Sequence, residues 1–402
     1  MKILLIADGR SPITRRYIEV LDQLKNDVFL ISSFPCSIVD GISGMEIINL
    51  AFGSAGGSQV RSRQKELGLK KFLRQSISRF RNIYMKVRYI FGPFSLFQKK
   101  NQYQRILNEQ KPDVVHALRI PFEGMLASFT PQEVPVVVSI WGNDLSLHAN
   151  GSLGMKAMTK RSLIRANGLV SDAASDIQES FKWGFKKSKP SLVIPGSGGI
   201  DLLKLDKSVQ KKGTDESSAY PDDAILIINP RGFRPGSVRN DTFFKSIPTV
   251  VKNNPDVHFL CPAMLGQTEA KKWIDRLGIG EYVTLLPFLD QHDLWKLFKK
   301  ARISISVSEH DGVPNSLLEA MAIGCFPIVG NIASVREWVE DGKNGYIVDP
   351  GEADELSQAI NMAITSKELR EEAAAHNRQL ICSRAEVSKI RDRLQDFYLH
   401  FV

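Results

Sequence analysis

The sequence predicts an α/β protein built from two doubly wound parallel sheets, and three observations carry this prediction. At 402 residues the chain is long enough for two domains, each with its own core. It opens with an apolar strand from Lys2 to Ala7, a helix that Ser11 caps and Pro12 begins, and a second strand from Val28 to Ile31. This β-α-β order is typical of parallel sheets, and it restarts after residue 223.

A polar stretch divides the chain. Residues 204–223 are mostly charged or small and follow neither helical nor strand periodicity, so they predict a linker that includes a loop. The predicted domains are residues 1–203 and 224–384, and residues 385–402 form a closing helix.

The composition is that of a globular protein without membrane-spanning segments. Apolar residues make up 43% of the chain, and the longest apolar runs are far shorter than the roughly 20 residues that a spanning helix needs. The apolar start is too short for a signal sequence. The four cysteines show no paired spacing that would indicate a zinc site or a disulfide framework. We therefore expect a cytoplasmic protein with reduced cysteines.

The positive charge is concentrated in residues 61–100. The formal net charge of the chain is +9, and this segment alone carries twelve lysines and arginines against the single acid Glu66. From Leu69 to Phe91 the apolar residues recur at helical spacing, while basic residues occupy the rest of the helix. The predicted basic patch comprises Lys70, Lys71, Arg74, Arg81, Lys86 and Arg88.

This basic helix admits two interpretations. Its apolar face could cover the protein's own sheet and leave a solvated basic face, or the surface could dock anionic lipid and a lipid-diphosphate acceptor. The same helix could do both. Nucleic acid is disfavoured as a partner, because the segment lacks a recognisable binding module and its aromatic residues fall on the predicted buried face.

The most informative stretch runs from Ser308 to Gly324. It follows an apolar strand, Ile303 to Val307, and opens a helix, so it predicts a strand, a turn and a helix in succession. Pro314 suits the first helical position, and the next two residues can cap, so backbone N–H groups at this end would suit an anion. Two carboxylates, Asp311 and Glu319, flank the same helix end and could hold sugar and ribose hydroxyls.

This stretch, together with its continuation to Val348, resembles the donor-site signature of family-four glycosyltransferases. The family pattern has two glutamates separated by seven residues, and Asp311 and Glu319 keep that separation with an aspartate in the first position. The resemblance implies the GT-B fold, in which two Rossmann-like domains face each other across a cleft and the last helix crosses back to the first domain. It also implies retaining transfer from a nucleotide sugar without a metal ion.

The same resemblance assigns donor-binding roles. The family places an arginine and a lysine on the donor diphosphate. Arg231 matches the arginine, and Arg239 is the best match for the lysine, with Arg234 as its competitor. Glu319 would accept hydrogen bonds from the ribose hydroxyls, and Asp311 would hold a sugar hydroxyl. The other predicted donor residues are Gly9, Phe288, which could stack on the base or pack in the core, Gly312, Val313, Asn315 and Ser316.

On the acceptor side the resemblance singles out two loops of the first domain. In the loop after the first strand the family usually has a glycine pair, where this chain has Gly9 followed by Arg10. Where the family commonly carries a histidine beside the transferred sugar, this chain has Trp141, which cannot exchange a proton and would stack or fix the loop. Asp144 would either cap a helix or contact the acceptor.

The expected function is retaining transfer of a hexose-type sugar, with UDP as the expected nucleotide, in bacterial surface-polysaccharide or lipopolysaccharide assembly. The acceptor would be a glycan or a polyprenyl-diphosphate-linked molecule, and the protein would bind peripherally to the cytoplasmic face of the membrane. No cofactor or metal ion is expected, because no Asp-x-Asp motif ends a strand and no ligand cluster has metal spacing. Two alternatives remain: a sugar-nucleotide epimerase on the same fold, and a non-catalytic protein that binds membranes through its basic helix.

Overall fold

The computed structural model describes residues 1–51, 81–210, 225–234 and 236–402. They form two α/β units. The first comprises residues 1–198 together with 391–402, and the second comprises residues 199–390.

The first unit is built on a parallel sheet in the order β3-β2-β1-β4-β5-β6-β7. Strands β1, β4 and β5 lie at its centre and are almost entirely buried, as expected for a parallel sheet with both faces covered. Because the order reverses on either side of β1, the loops after β1 and β4 diverge at the carboxyl edge and leave room for a ligand. The strands are β1 (Lys2–Ala7), β2 (Asp27–Ser32), β3 (Gly44–Ile47), β4 (Val114–Ala117), β5 (Val136–Ile140), β6 (Gly168–Ser171) and β7 (Ser191–Val193).

Helices cover both faces of this sheet, and a hydrogen bond links two of them next to a proline. Pro93 lies inside α2 and cannot donate a backbone hydrogen bond to the Tyr89 carbonyl. The Ser152 hydroxyl donates to that carbonyl instead, at 2.6 Å, and also caps α3 by accepting from the Met155 amide. The helices are α1 (Pro12–Gln23), α2 (Arg81–Gln110), α3 (Leu153–Arg165) and α4 (Ala174–Lys182).

The second unit repeats the architecture with a parallel sheet in the order β10-β9-β8-β11-β12-β13. Its core lies between the sheet and the helices that follow each strand. The strands are β8 (Ile225–Ile228), β9 (Val257–Cys261), β10 (Val283–Leu285), β11 (Ile303–Ser306), β12 (Phe326–Gly330) and β13 (Tyr346–Val348). The helices are α5 (Leu202–Gln210), α6 (Asn240–Asn253), α7 (Thr268–Leu277), α8 (Gln291–Lys300), α9 (Asn315–Ile323), α10 (Ala333–Arg336), α11 (Ala353–Thr365), α12 (Lys367–Arg384) and α13 (Val387–Tyr398).

The closing helix α13 begins in the second unit, and its residues from Arg391 onward belong to the first. Tyr398, near its end, is buried and shares a hydrogen bond with Nδ1 of His116 on β4. The other ring nitrogen of His116 bonds the Ser139 hydroxyl of β5 at 2.8 Å, and Tyr17 of α1 adjoins Tyr398. This buried polar network fixes the end of the chain to the central strands of the first unit.

Burial keeps His116 neutral by lowering its pKa to about 3. Because the unfolded chain takes up a proton near pH 6.5 and the folded chain does not, the stability from this histidine is complete above pH 6.5 and decreases as the pH falls. Between pH 6.5 and 5 we expect a loss of about 2 kcal/mol. Thermal unfolding at pH 7 and pH 5 tests this: His116→Asn should be less stable at pH 7 but should show the smaller change. An identical pH dependence in both proteins would contradict the prediction.

The predicted linker is wrong in its first part. Residues 204–210 lie in helix α5, because Leu202, Leu205 and Ser208 recur at helical spacing and are buried. Charged residues between them conceal this short apolar face in the sequence. Residues 211–224 lie outside the described part of the chain.

The basic helix also differs from its prediction. Its described part, α2, exposes Val87 and Phe91 of the face that was expected to be buried. Arg88, expected on the basic surface, is partly buried, and its guanidinium lies 4.5 Å from the centre of the Phe122 ring. Lys86 is exposed as predicted. Lys70, Lys71, Arg74 and the side chain of Arg81 lie outside what the structure describes.

Candidate active site

The strongest cluster of predicted donor residues lies at the carboxyl edge of the second sheet. β8 and β11 are neighbours in this sheet, so the loops that follow them meet. Arg231 follows β8 and Asp311 follows β11, and one terminal guanidinium nitrogen of Arg231 donates to Oδ2 of Asp311. The sequence prediction that these two residues share a site is therefore consistent with their contact.

The Arg231 side chain is held in place, but not all of its hydrogen-bond donors have a partner. Its side chain is almost fully buried, and its Nε is buried without a hydrogen-bond partner among the described residues. Asp311 accepts a further hydrogen bond from the Gly312 amide at 3.1 Å. A buried donor without a partner costs about 1–3 kcal/mol, so this Nε is available to an acceptor oxygen of a ligand.

The second cation of this site is better supplied by Arg234 than by Arg239. Arg239 makes two hydrogen bonds to the Asp241 carboxylate, at 2.8 and 3.0 Å, and a third to Glu309. Two carboxylates therefore already neutralise it. Arg234 is exposed, and the positive charge of Arg231 lowers its pKa to about 10, with partial desolvation adding to the effect. Two close cations of this kind favour a bound anion.

The N-terminus of α9 adjoins these loops. Pro314 stands at the cap position with an extended backbone, one position earlier than predicted, and a proline offers no side-chain oxygen to cap the helix. The Ser316 hydroxyl is buried without a hydrogen-bond partner. Glu319, one turn further, is buried and accepts a hydrogen bond of 2.6 Å from the Gln291 side chain. The arrangement combines a positive helix end with a fixed carboxylate.

Several contacts hold the two loops together. Ser237 donates its hydroxyl proton to the His310 carbonyl, and the Glu309 amide donates to the Ser237 carbonyl at 2.8 Å. Ser334 donates to the carbonyls of Asp311 and Gly312. A Cβ at Gly330 would lie 2.5 Å from the Ser308 carbonyl oxygen, so only glycine permits this close approach. The site is thus preorganised by its backbone.

Phe288 lies after the edge strand β10 and is 69% exposed. Of its two predicted roles, core packing is wrong, because the ring lies on the surface. The position remains compatible with stacking on a planar ligand.

The first unit has its own cavity at the carboxyl edge of its sheet. It measures about 310 Å³ and is lined by residues that follow β1, β4 and β5 and by one face of α2. The lining includes Asp8, Ser11, Phe34, Arg88, Tyr89, Arg119, Phe122, Glu123, Trp141 and His148. Trp141 therefore faces a cavity, as expected for a residue that contacts a ligand.

Asp144 has a different role from the two that were predicted. It is fully buried, and Asn143, not Asp144, precedes the helical turn. Its carboxylate accepts hydrogen bonds from Arg119 at 2.6 Å and from the Ile120 and Trp141 amides. Because it is fully buried, Asp144 cannot contact an acceptor, and it positions Arg119 instead.

Arg119 is the main polar group of the cavity wall. Its guanidinium lies 5.4 Å from the Trp141 ring, and its Nε is buried without a hydrogen-bond partner. Burial alone would lower its pKa, but the charges of Asp144 and Glu123 outweigh that effect and raise it. Arg119 is thus a fixed cation beside an aromatic ring.

Burial shifts the pKa values of two further ionisable groups of the cavity. Burial raises the pKa of Glu123, which accepts a hydrogen bond from Ser33. Burial and the two arginines lower the pKa of His148 to about 3, and its Nδ1 lies 2.7 Å from the Tyr89 hydroxyl. Phe122 adopts φ = 69°, a strained conformation for a bulky residue, next to these groups.

Gly9 and Arg10 lie beside the cavity. A Cβ at Gly9 would lie 2.6 Å from the Cys36 sulfur, so the glycine serves packing at this point. Arg10 makes two hydrogen bonds of 2.9 Å to Asp8 and lies 3.7 Å from the centre of the Phe34 ring. The pairing fixes the wall of the cavity.

Sequence reasoning missed Arg119, Glu123, His148 and Gln291. Arg119 and Glu123 follow β4, and the rule that ligands bind after the carboxyl ends of parallel strands would have singled them out. Gln291 begins the helix after the edge strand, where the same rule applies. No sequence signal marks His148.

Within residues 1–51, 81–210, 225–234 and 236–402, no group of three histidine, cysteine or acidic side chains could hold a metal ion. In the same ranges no helix is long and apolar enough to cross a membrane.

Comparison with known proteins agrees with this architecture. The family model for glycosyl transferases group 1 matches residues 237–380, and a glycosyl transferase 4-like model matches residues 71–173. Two parallel-sheet α/β units with these matches define a glycosyltransferase of the GT-B fold. The two matches, in different parts of the chain, support a group 1 glycosyltransferase family for this protein.

Individual relatives are distant. Spore coat protein SA of Bacillus subtilis is 25% identical over 163 residues, which cover 38% of this chain and 43% of that protein. The match thus spans less than half the length of this curated relative. The crystal structure of Anabaena Alr3699/HepE in complex with UDP and glucose aligns over all of both chains, with a TM-score of 0.69 and 17% identity. The lipopolysaccharide outer core galactosyltransferase WaaB aligns equally completely, with a TM-score of 0.63 and 14% identity.

Proposed function

We propose that this protein is a retaining, metal-independent glycosyltransferase that moves a sugar from a UDP-sugar to a glycan or lipid-linked acceptor. The observation that carries the proposal is the buried Arg231, with its orphaned Nε, next to the uncapped N-terminus of α9 and the fixed carboxylate of Glu319. The reaction would take place at the cytoplasmic face of the membrane, in the assembly of a bacterial surface polysaccharide.

On the donor side, the leaving group is a nucleoside diphosphate. Arg231 and Arg234 would bind its phosphate oxygens, and the Ser316 hydroxyl with the helix dipole would add to the stabilisation. Asp311 would orient Arg231 and could reach a sugar hydroxyl with its remaining capacity. Glu319 would accept hydrogen bonds from the ribose hydroxyls, with Gln291 fixing its rotamer.

The proposed chemistry needs no protein nucleophile. The bond between the anomeric carbon and the phosphate oxygen breaks, and the acceptor hydroxyl bonds that carbon on the same face. The acceptor proton passes to the departing phosphate, whose negative charge the arginines stabilise as it develops. Protein cations thereby perform the role that a divalent metal ion would otherwise have.

On the acceptor side, the cavity of the first unit supports a polar acceptor. Trp141 offers a flat ring of the kind that stacks on sugar faces, and the Nε of Arg119 offers an unused donor. The choice of UDP is supported by the complex of Anabaena Alr3699/HepE with UDP and glucose, and the polysaccharide context by WaaB.

A thermal-shift panel of UDP-, GDP-, ADP- and TDP-sugars tests the donor site. A UDP-sugar at 100 times its dissociation constant adds about 2.7 kcal/mol of stability, so we expect a rise in melting temperature on the order of 5–10 °C. Glu319→Ala should lose that rise, because the ribose contact is gone. Glu368→Ala, a glutamate in the first turn of α12, is the matched control and should keep it.

Two outcomes of the thermal-shift panel would contradict the proposal. A rise with UDP-sugars that persists in Glu319→Ala would place the nucleotide elsewhere. No rise with any sugar nucleotide would favour the non-catalytic alternative.

A further inference from the structure

An exposed apolar row runs along one side of α2. Val87, Ile90, Phe91, Phe94 and Phe97 follow one another at helical spacing, and each is between 41% and 65% exposed. At 100° per residue they occupy about a third of the helix circumference. The opposite side of the same helix lines the cavity of the first unit through Arg88 and Tyr89. So many large apolar side chains in one row mark an interaction surface.

Helix α3 extends this surface. It packs beside α2 near Pro93, because a Cβ at Gly154 would lie 3.4 Å from the proline ring and Ser152 bonds the Tyr89 carbonyl. Leu153, its first residue, is 87% exposed. Lys156 and Lys160 follow on the same side of α3 and are exposed.

Cations border the row at both ends. Lys86 is exposed at the beginning. At the other end, Lys100 and Arg161 both lie within 6 Å of the Phe129 ring, which packs edge-on against Phe97. Neither α3 nor residues 81–100 of α2 contains an aspartate or a glutamate. The surface is therefore apolar, cationic and free of opposing charge.

We propose that this face of α2 and α3 docks on an anionic lipid bilayer, with the phenylalanine row entering the interface and the lysines contacting lipid phosphates. The proposal deepens the proposed function, on which its link to a lipid-linked acceptor rests. It differs from the patch predicted from the sequence, because the apolar row and α3 were not part of that patch. Aliphatic side chains such as Ile90 and Leu153 favour hydrocarbon over stacked nucleic-acid bases as the partner.

The geometry gives α2 two working sides. A bilayer on the row would place the cavity of the first unit one helix diameter, about 10 Å, from the lipid headgroups. A sugar or diphosphate headgroup of a lipid could then enter the cavity while its chains stay in the membrane.

Vesicle flotation with the full chain tests the docking surface. Wild type should float with vesicles that contain 30% phosphatidylglycerol and should not float with pure phosphatidylcholine. The double variant Phe91→Ser/Phe94→Ser should lose at least 90% of the bound protein at any salt concentration. Lys156→Glu/Lys160→Glu should lose a similar share at low salt, because each lysine contributes about a fivefold change in affinity.

Two control variants carry equivalent changes in the second unit. Met362→Ser removes an exposed apolar side chain, and Lys271→Glu/Lys272→Glu reverses two exposed lysines of α7. Both should float like wild type. The proposal would be overturned if the α2 and α3 variants floated to the same extent as the wild-type protein. It would also be overturned if the wild-type protein were a dimer and the Phe91→Ser/Phe94→Ser variant a monomer. Binding of single-stranded RNA that depends on the same residues would overturn it as well.

The two proposals fail separately. Flotation without a thermal shift by any sugar nucleotide would leave the docking surface standing and overturn the transferase proposal. A thermal shift without flotation would support the transferase proposal and overturn the docking surface.

Discussion

Replacing Arg231 with alanine is expected to lower kcat by about 10²–10³-fold, the effect of removing one preorganised donor from a site where negative charge develops. Its guanidinium is buried and already oriented by Asp311, so it needs little reorganisation when the phosphate departs. Because the charge on the phosphate grows in the transition state, kcat should fall more than KM rises. Steady-state turnover of the nucleotide sugar that the thermal-shift panel identifies measures both.

Two further variants sharpen this test. Arg231→Lys keeps the charge but loses the planar guanidinium, so it should recover only part of the activity. Arg239→Ala is the matched control from the same loop. Because Asp241 and Glu309 already neutralise Arg239, its removal should lower kcat less than about tenfold. The loss of kcat in Arg234→Ala should lie between those of Arg231→Ala and Arg239→Ala.

A reversed order would contradict the assignment. If Arg239→Ala lowered kcat more than Arg231→Ala, the diphosphate would lie beside Arg239, and its ion pairs would have to break on binding. A rise of KM alone in Arg231→Ala would show that the arginine binds the ground state and transition state equally.

The sequence predicted the strand, turn and helix around Asp311 because the signals for these elements are local. A strand, a turn and a helix within twenty residues bring Asp311 and Glu319 to the same helix end, and the resemblance adds Arg231. The choice between Arg239 and Arg234 was not local. It depends on Glu309, 70 residues away from Arg239 in the chain, whose carboxylate faces it only in the folded state.

The cavity of the first unit shows the opposite case. Arg88 lies on α2, Arg119 follows β4, and Trp141 and His148 follow β5, so these residues come from three separate segments. Their proximity follows from the strand order, which no periodicity in the sequence specifies. The role of Asp144 was ambiguous for the same reason, because its partner Arg119 lies 25 residues earlier in the chain.

The exposed row on α2 was mispredicted for a physical reason. Apolar residues at helical spacing identify a face but not what covers it. In α2 the side that reaches the core carries Leu96 and Tyr103, whereas Phe91 and Phe94 belong to a second apolar face that remains exposed. A helix with two apolar sides therefore gives the same pattern as a helix with one wide side.

Replacing Asp144 with alanine should be the most destabilising change considered, with an expected loss of about 3–5 kcal/mol in the free energy of unfolding. The fully buried carboxylate pairs with Arg119 and accepts hydrogen bonds from the Ile120 and Trp141 amides, at 3.1 and 3.2 Å. Its removal leaves a cation and two buried amides without their acceptor, and each orphaned amide alone costs about 1–3 kcal/mol. Urea unfolding followed by circular dichroism measures the loss.

Asp144→Asn and Asp241→Ala set the scale for that loss. Asparagine can still accept from the amides but presents a donor on its other side, so it should recover about half of the lost stability. Asp241→Ala breaks an ion pair of similar geometry with Arg239 on the surface, where the median contribution is about 0–1 kcal/mol. If the three variants unfolded at the same urea concentration, burial would not distinguish the two pairs. The Arg119–Asp144 pair would then be an ordinary surface contact, and its place in a preorganised acceptor cavity would be wrong.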